Sequence, residues 1–253
     1  VVGAGSPGEL WDRIGASEST PPLFYALTWL WAQLAGDGEA AVRTVSAVAL
    51  IAAVPVSYAA LRRLAGERAA LGAAFVMALS PVLVEYGLDA RAYGLLVLTS
   101  LLSVWAFAAL LERDTTRGRV LWALAAASVI WTHYFGGFLV LAEVLVLLWL
   151  RPRAWRTTVL AAGGVLVALL PLLPLLAEQT GDERAGFIGA YDVPGRLEQL
   201  ARHFAMGARV PATWLEAAGL TIFAAAVVAG TAIALRAALG SAAAPDPDPA
   251  APD

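Results

Sequence analysis

Apolar segments recur about every 25 to 30 positions along this chain, separated by short loops in which arginines gather. That repetition limits the fold more than any other feature, because backbone polar groups in hydrocarbon must be satisfied within the segment that carries them. The composition agrees: 15% of residues are charged and the mean hydropathy is +0.71, where an ordinary soluble domain has about 25% charged residues. The sequence therefore predicts an all-α fold, a polytopic transmembrane helix bundle of roughly seven spans. Hydropathy places them at residues 44 to 61, 69 to 85, 92 to 111, 120 to 135, 136 to 150, 157 to 177 and 214 to 235.

The remaining segments divide the chain further. Residues 1 to 43 form an external loop region, with an apolar stretch at 22 to 36 too short for an ordinary span and suited to an interfacial or re-entrant helix. Residues 44 to 236 form the transmembrane domain. Residues 237 to 253, rich in Pro and Asp, are expected to be disordered. No basic stretch or cleavage site marks residues 1 to 21 as a signal peptide.

Arginine clusters set the orientation. Arg62, Arg63 and Arg68 share one loop, Arg113, Arg117 and Arg119 a second, and Arg151, Arg153 and Arg156 a third; all three are expected on the cytoplasmic side. The turns around 85 to 91 and 132 to 137, and the segment 178 to 213, then face outward in a multi-pass plasma-membrane protein. All 17 basic residues are arginine, so any phosphate site must use guanidinium groups. The chain has no cysteine, which excludes disulfides and thiol chemistry. A net charge of −3 gives no sign of a nucleic-acid partner.

Three ionisable residues, Glu85, Asp89 and Arg91, lie in the outward stretch SPVLVEYGLDARAYG. On a helix, Glu85 and Asp89 would share a face, while Arg91 and Tyr93 flank the start of the next span. Charged groups near a span end are candidates for function, although interfacial water accounts for Asp89 and Arg91 equally well. The turn WTHYFGG brings His133 and Tyr134 to the same side, where an aromatic interface residue is the plainer reading. Glu143 lies within a span and needs a partner inside the bundle, as an interhelical hydrogen-bond group or as a catalytic one.

The order TPPLFYAL, VRTVSAV, ALSPVLVEYGLDARAYG and WTHYFGG resembles the bacterial relatives of protein O-mannosyltransferases, within the C-type glycosyltransferase fold. The matching positions are Pro21, Pro22, Leu23 and Tyr25; Arg43 and Ser46; Ser80, Pro81, Asp89, Arg91 and Tyr93; and Thr132, His133 and Tyr134. The resemblance covers about residues 6 to 180 and continues more weakly to 236. It implies a transferase that takes a sugar from a polyprenyl-phosphate carrier on the outer face of the membrane. Donor phosphate and sugar would be held by Arg43, Glu85, Asp89, Arg91, Tyr93, His133 and Tyr134, embedded in the bilayer with the lipid donor as partner.

Inverting transfer also needs a carboxylate to take the acceptor proton and cations or a metal at the leaving phosphate. In the family the carboxylate is an Asp, often Asp-Glu, after the first span. Asp12 and Glu18 do not match that position, and Thr20 stands where relatives often carry His or Lys. The chain thus reads as N-terminally truncated, with its catalytic acid expected upstream of Val1. The cofactor is left open, a divalent cation included. Two other classes stay in competition: a non-catalytic membrane partner, and a transporter or lipid-carrier flippase, for which internal repeats would be the sign and none is evident.

Overall fold

The computed structural model describes residues 1–180 continuously, together with 195, 202–203, 214, 217–222, 224–225 and 228. The chain divides into two compact units, Val1–Asp192 and Val193–Asp253. In the second unit the described residues are helical, and Thr221 Oγ1 donates to the Ala217 carbonyl at 2.7 Å. Most of the expected span at 214 to 235, much of the segment 178 to 213 and the whole tail 237 to 253 lie outside the described residues.

Among the described residues of the first unit the regular structure is entirely helical. The helices are α1 (Pro7–Ser17), α2 (Leu23–Ala35), α3 (Glu39–Ala65), α4 (Glu67–Leu79), α5 (Pro81–Leu88), α6 (Tyr93–Glu112), α7 (Thr116–Thr132), α8 (Gly136–Leu150), α9 (Trp155–Leu169) and α10 (Leu172–Thr180). A 3-10 turn at Pro152–Ala154 leads into α9.

Among the described residues two helices, α3 and α6, are long and apolar enough to cross a bilayer, or up to four if each bent pair counts as one span. Seven were expected; the one at 214 to 235 lies mostly outside the described residues, and for the others length and bending make the difference. The α7 and α8 helices have 17 and 15 residues, so α8 rises only about 22 Å against a hydrocarbon thickness of roughly 30 Å. The expected spans at 69 to 85 and 157 to 177 are bent pairs, α4 with α5 at 52° and α9 with α10 at 62°. Prolines cause both breaks. Pro81 lacks an N–H and drives Ser80 into extended backbone (φ −66°, ψ 117°), and Pro171 sits between α9 and α10. The 13-residue α2 does not reach spanning length.

The α3 helix is the scaffold of this unit, running parallel to α6, with Ser46 beside Gly94 at their early turns and Arg63 paired with Glu112 at their last, and packing also against α4, α5 and α2. Its buried positions are Ser46, Ala49, Leu50, Ala53, Ser57 and Ala60, mostly small residues on one face. Small residues let helices approach closely where lipid gives no hydrophobic incentive to associate. Gly94 marks the closest approach, since a Cβ there would stand 2.7 Å from the Ser46 carbonyl oxygen.

A second core joins α6, α7, α8 and α9 through Phe107, Leu110, Trp122, Val129, Leu147 and Val165. Within it, Glu143 is 4% exposed; its Oε2 accepts from Ser103 Oγ at 2.7 Å and Trp122 Nε1 at 2.9 Å. A single carboxylate oxygen therefore ties α8 to α6 and α7. The interhelical reading of Glu143 accounts for its position, and no part of the site described below is needed to explain it.

Candidate functional site

The sequence-derived candidates gather at the end of the bundle where α5 hands over to α6 and α7 to α8. Helix α5 stops at Leu88, and Asp89 caps it in extended conformation (φ −94°, ψ 136°). Glu85 and Asp89 thus do not share a helical face as the spacing predicted, because the helix ends before Asp89. Arg91 lies in the turn that follows. Its backbone carbonyl accepts from Ser46 Oγ at 2.9 Å, which fastens the turn to α3. Its guanidinium Nε stands 3.6 Å from Asp89 Oδ2, and the two side chains are 67% and 48% exposed. A pair this long and this wetted holds its partners loosely.

Tyr93 opens α6 and places its ring against two neighbours, Tyr86 at 4.7 Å and His133 at 5.9 Å between centroids. The row continues from His133 to Phe135 at 5.1 Å and on to Phe138 at 6.2 Å. His133 caps α7, and its Nδ1 accepts from the Phe135 N–H at 3.3 Å. That contact leaves the ring proton on Nε2, as a donor. Burial holds the imidazole below its usual range, so His133 is a neutral donor at pH 7 and not the cation that a phosphate-binding role first suggests. The turn is tight because Gly136 packs on Val129, where an added Cβ would stand 3.1 Å from the backbone oxygen.

Behind Arg91 runs a chain of polar contacts that the sequence did not reveal. Tyr25 on α2 donates its hydroxyl to Glu18 Oε2 at 2.7 Å and lies 2.9 Å from Thr20 Oγ1. Gln179 on α10 donates to the Thr20 carbonyl at 3.2 Å, and Tyr134 donates to Gln179 Oε1 at 2.8 Å. Burial raises the Tyr134 hydroxyl to about 12, so it remains a donor throughout the physiological range. Phe24 and Tyr25 pack with Ala92, the residue after Arg91, in one apolar cluster, which brings this chain to the Arg91 turn. Tyr25, Glu18, Thr20, Gln179 and Tyr134 thus back the surface on which Arg91 stands.

The structure therefore brings together Arg91, Tyr93, His133 and Tyr134, with Asp89 at the edge. Glu85 lies one residue before Tyr86 and acts on its hydroxyl through its charge. Arg43 is engaged elsewhere, in an ion pair with Glu39 at 2.5 Å on the exposed first turns of α3. Gln179 was missed by sequence reasoning, since its partners are far away in the chain. A polar residue closing an apolar helix was its only signal. Among the described residues no group of three His, Cys, Asp or Glu side chains gathers to hold a metal ion.

Arranged this way, the site offers a guanidinium fork on a fixed backbone, a neutral N–H donor and a row of ring faces at one end of an apolar bundle. It suits an anionic head group attached to an apolar tail. Comparison with curated proteins and with solved structures finds no match. Residues 19–177 match a family of membrane glycosyltransferases that draw on polyprenyl-phosphate-mannose donors, and that stretch contains every residue of the Arg91 cluster. The chain belongs to the dolichyl-phosphate-mannose-protein mannosyltransferase family.

Proposed function

We propose that this chain binds the phosphate-sugar head of a polyprenyl-phosphate-linked donor at the Asp89–Arg91 turn, on the outer face of the plasma membrane, for transfer of the sugar to an external acceptor. The observation that carries the reading is Arg91 itself: its backbone is fastened to α3 through Ser46, while its guanidinium is exposed and only loosely paired. Such a group can leave Asp89 for a phosphate at little cost, because an exposed ion pair contributes only about 0–1 kcal/mol. Two parallel N–H bonds to phosphate oxygens would then replace one long contact. They would also stabilise the charge that grows on the phosphate as the sugar leaves. Neutral His133 supplies a further donor, and the Tyr93 and His133 rings border the space for the sugar.

The test is binding of a polyprenyl-phosphate sugar to the purified chain in detergent. Arg91→Ala should weaken it at least tenfold with insertion unchanged, and Arg91→Lys should lose most of that affinity because the charge remains but the planar fork does not. Unchanged affinity in Arg91→Ala would return the turn to a wetted helix end. The outward orientation has its own test, since the native sequence lacks cysteine. A single cysteine at position 89 should react with a membrane-impermeant thiol reagent in intact cells and one at position 117 should not; the reverse pattern would invert the topology.

A further inference from the structure

The α6–α7 loop and the turn between α8 and α9 enclose a pocket of about 370 Å3, lined by Asp114, Leu150, Arg151, Pro152, Arg153 and Ala154. The Arg91 turn precedes α6 and this loop follows it, so the 20 residues of that helix, about 30 Å, separate the two places. A donor head held at Arg91 therefore does not fill the pocket. Two of the charged groups in its walls are already spent within the fold. Asp114 pairs with Arg119, and Arg151 donates to the Leu111 carbonyl near the end of α6. Pro152 opens the 3-10 turn, and the Ala154 N–H donates to the Arg151 carbonyl at 2.9 Å, which fixes the backbone that carries Arg153.

Arg153 has no such use. It is exposed on the pocket wall and, among the described residues, takes part in no ion pair. The same holds for Arg113 and Arg117, on the loop that supplies Asp114. The carboxylates of that loop cannot neutralise them, since Glu112 pairs with Arg63 and Asp114 with Arg119. The pocket thus faces a surplus of positive charge, which favours an anion. Its apolar neighbours say what the anion is attached to. Trp149 and Trp155 flank the run from Leu150 to Ala154, 78% and 52% exposed, and Arg156 rests over the Trp155 ring at 5.5 Å from its centre. Indole rings favour the level where hydrocarbon meets head groups. A soluble phosphate would leave both rings and Leu150 in water, and a zwitterionic head would bring an ammonium for which this loop has no unpaired carboxylate.

We propose that this pocket binds the head group of an anionic phospholipid of the surrounding bilayer. Arg153 contacts its phosphate, Arg113 and Arg117 add to the attracting field, and Trp149 and Trp155 lie against the glycerol and the upper part of the acyl chains. The bound lipid bridges the α6–α7 loop and the α8–α9 turn, so it stabilises the folded bundle by mass action. The assignment does not depend on the reading of Arg91.

The experiment titrates the purified full chain in detergent with phosphatidylglycerol and with phosphatidylcholine, following lipid retention by native mass spectrometry and stability by thermal unfolding. Phosphatidylglycerol should bind at least fivefold more tightly and raise the melting temperature. Arg153→Gln should lose about fivefold of that affinity, the change expected for one basic residue at an anionic surface. Arg68→Gln, which removes an exposed arginine at the start of α4 outside the pocket, should stay within twofold of the parent. Trp155→Ala, which leaves every charge in place, should also weaken the lipid, and it keeps the test open if Arg153→Gln fails to fold. Equal affinity of the parent for the two lipids would overturn the proposal, as would unchanged affinity in Arg153→Gln or in Trp155→Ala. An equal loss in Arg68→Gln and Arg153→Gln would overturn it too, because it is the mark of surface charge without a site. Displacement of phosphatidylglycerol by an equal concentration of inorganic phosphate would replace the lipid with a soluble anion.

Discussion

At the end of the bundle that carries Arg63, Arg119 and Arg151, each of these guanidinium groups is tied to a neighbouring helix or its flanking loop. Arg63 pairs with Glu112 and lies 5.4 Å from the Trp105 ring centre, Arg119 pairs with Asp114 and reaches Thr158, and Arg151 donates to the Leu111 carbonyl. At the opposite end, Arg91 stands exposed beside a distant carboxylate, with a fixed backbone and a movable side chain. The same residue type thus does two jobs. In the first region it closes helix ends and neutralises carboxylates, so those arginines stabilise the bundle as well as marking its topology. In the second its charge is available to something that is not part of the fold.

The comparison can be broken most severely at Gly94, which holds the Arg91 turn close to α3. Gly94→Leu forces a side chain into the Ser46 carbonyl and should cost about 1–3 kcal/mol while removing donor binding, read by thermal unfolding and by donor titration. Loss of stability with donor affinity intact would show that the site does not need this contact. Next comes Arg119→Met at the tied end. Asp114 is left without its partner, and about 1–2 kcal/mol of stability should go, yet donor affinity per folded molecule should be unchanged. A selective loss of donor binding there would erase the distinction between the two ends.

A smaller effect concerns pH. Burial lowers the His133 pKa below its ordinary value of 6.5 in the folded state, so the folded protein binds fewer protons there than the unfolded chain. Its contribution is fully present above the unfolded value and is lost as pH falls through the lower folded one. The melting temperature of the parent should therefore drop between about pH 7 and pH 5, and His133→Gln should drop less. The smallest effect is expected for the Asp89 and Arg91 pair, whose double-mutant cycle should give a coupling of about 0.5 kcal/mol or less in stability. A larger coupling would mean that Asp89 restrains Arg91 more firmly than its distance and exposure suggest.

Much of the helical layout was legible in the sequence, because runs of apolar residues between arginine clusters report a property each segment carries by itself. Helix α6 matches the expected span 92 to 111 within one residue, and α3 encloses 44 to 61 with four or five residues beyond it at each end. What hydropathy could not show was where a run bends: residues 69 to 85 read as one apolar segment, although Ser80 and Pro81 carried the signal of a break. The cluster of Arg91, Tyr93, His133 and Tyr134 was legible through the order of short motifs. Its backing was not: Glu18, Thr20 and Tyr25 lie close together in the chain, but Gln179 joins them to Tyr134 only through the fold, across 159 positions to Thr20 and 45 to Tyr134, and no local pattern encodes such partners. Glu143 lies between these cases. Its burial announced that it needed donors, while the structure alone identified Ser103 and Trp122.

The hydrogen bond from Gln179 to Thr20 joins residues 159 positions apart. At about 5–20 residues per second, a ribosome takes roughly 8–30 s to travel between them. Through that interval α2 waits for the side chain that will link it to the α7–α8 turn, and once Tyr134 is made, 45 positions before Gln179, water must serve its hydroxyl as well as the Thr20 carbonyl. The surface around Arg91 is therefore among the last parts of this unit to be completed. A nascent chain arrested before α10 emerges would hold the helices around Arg91 and still lack the finished site.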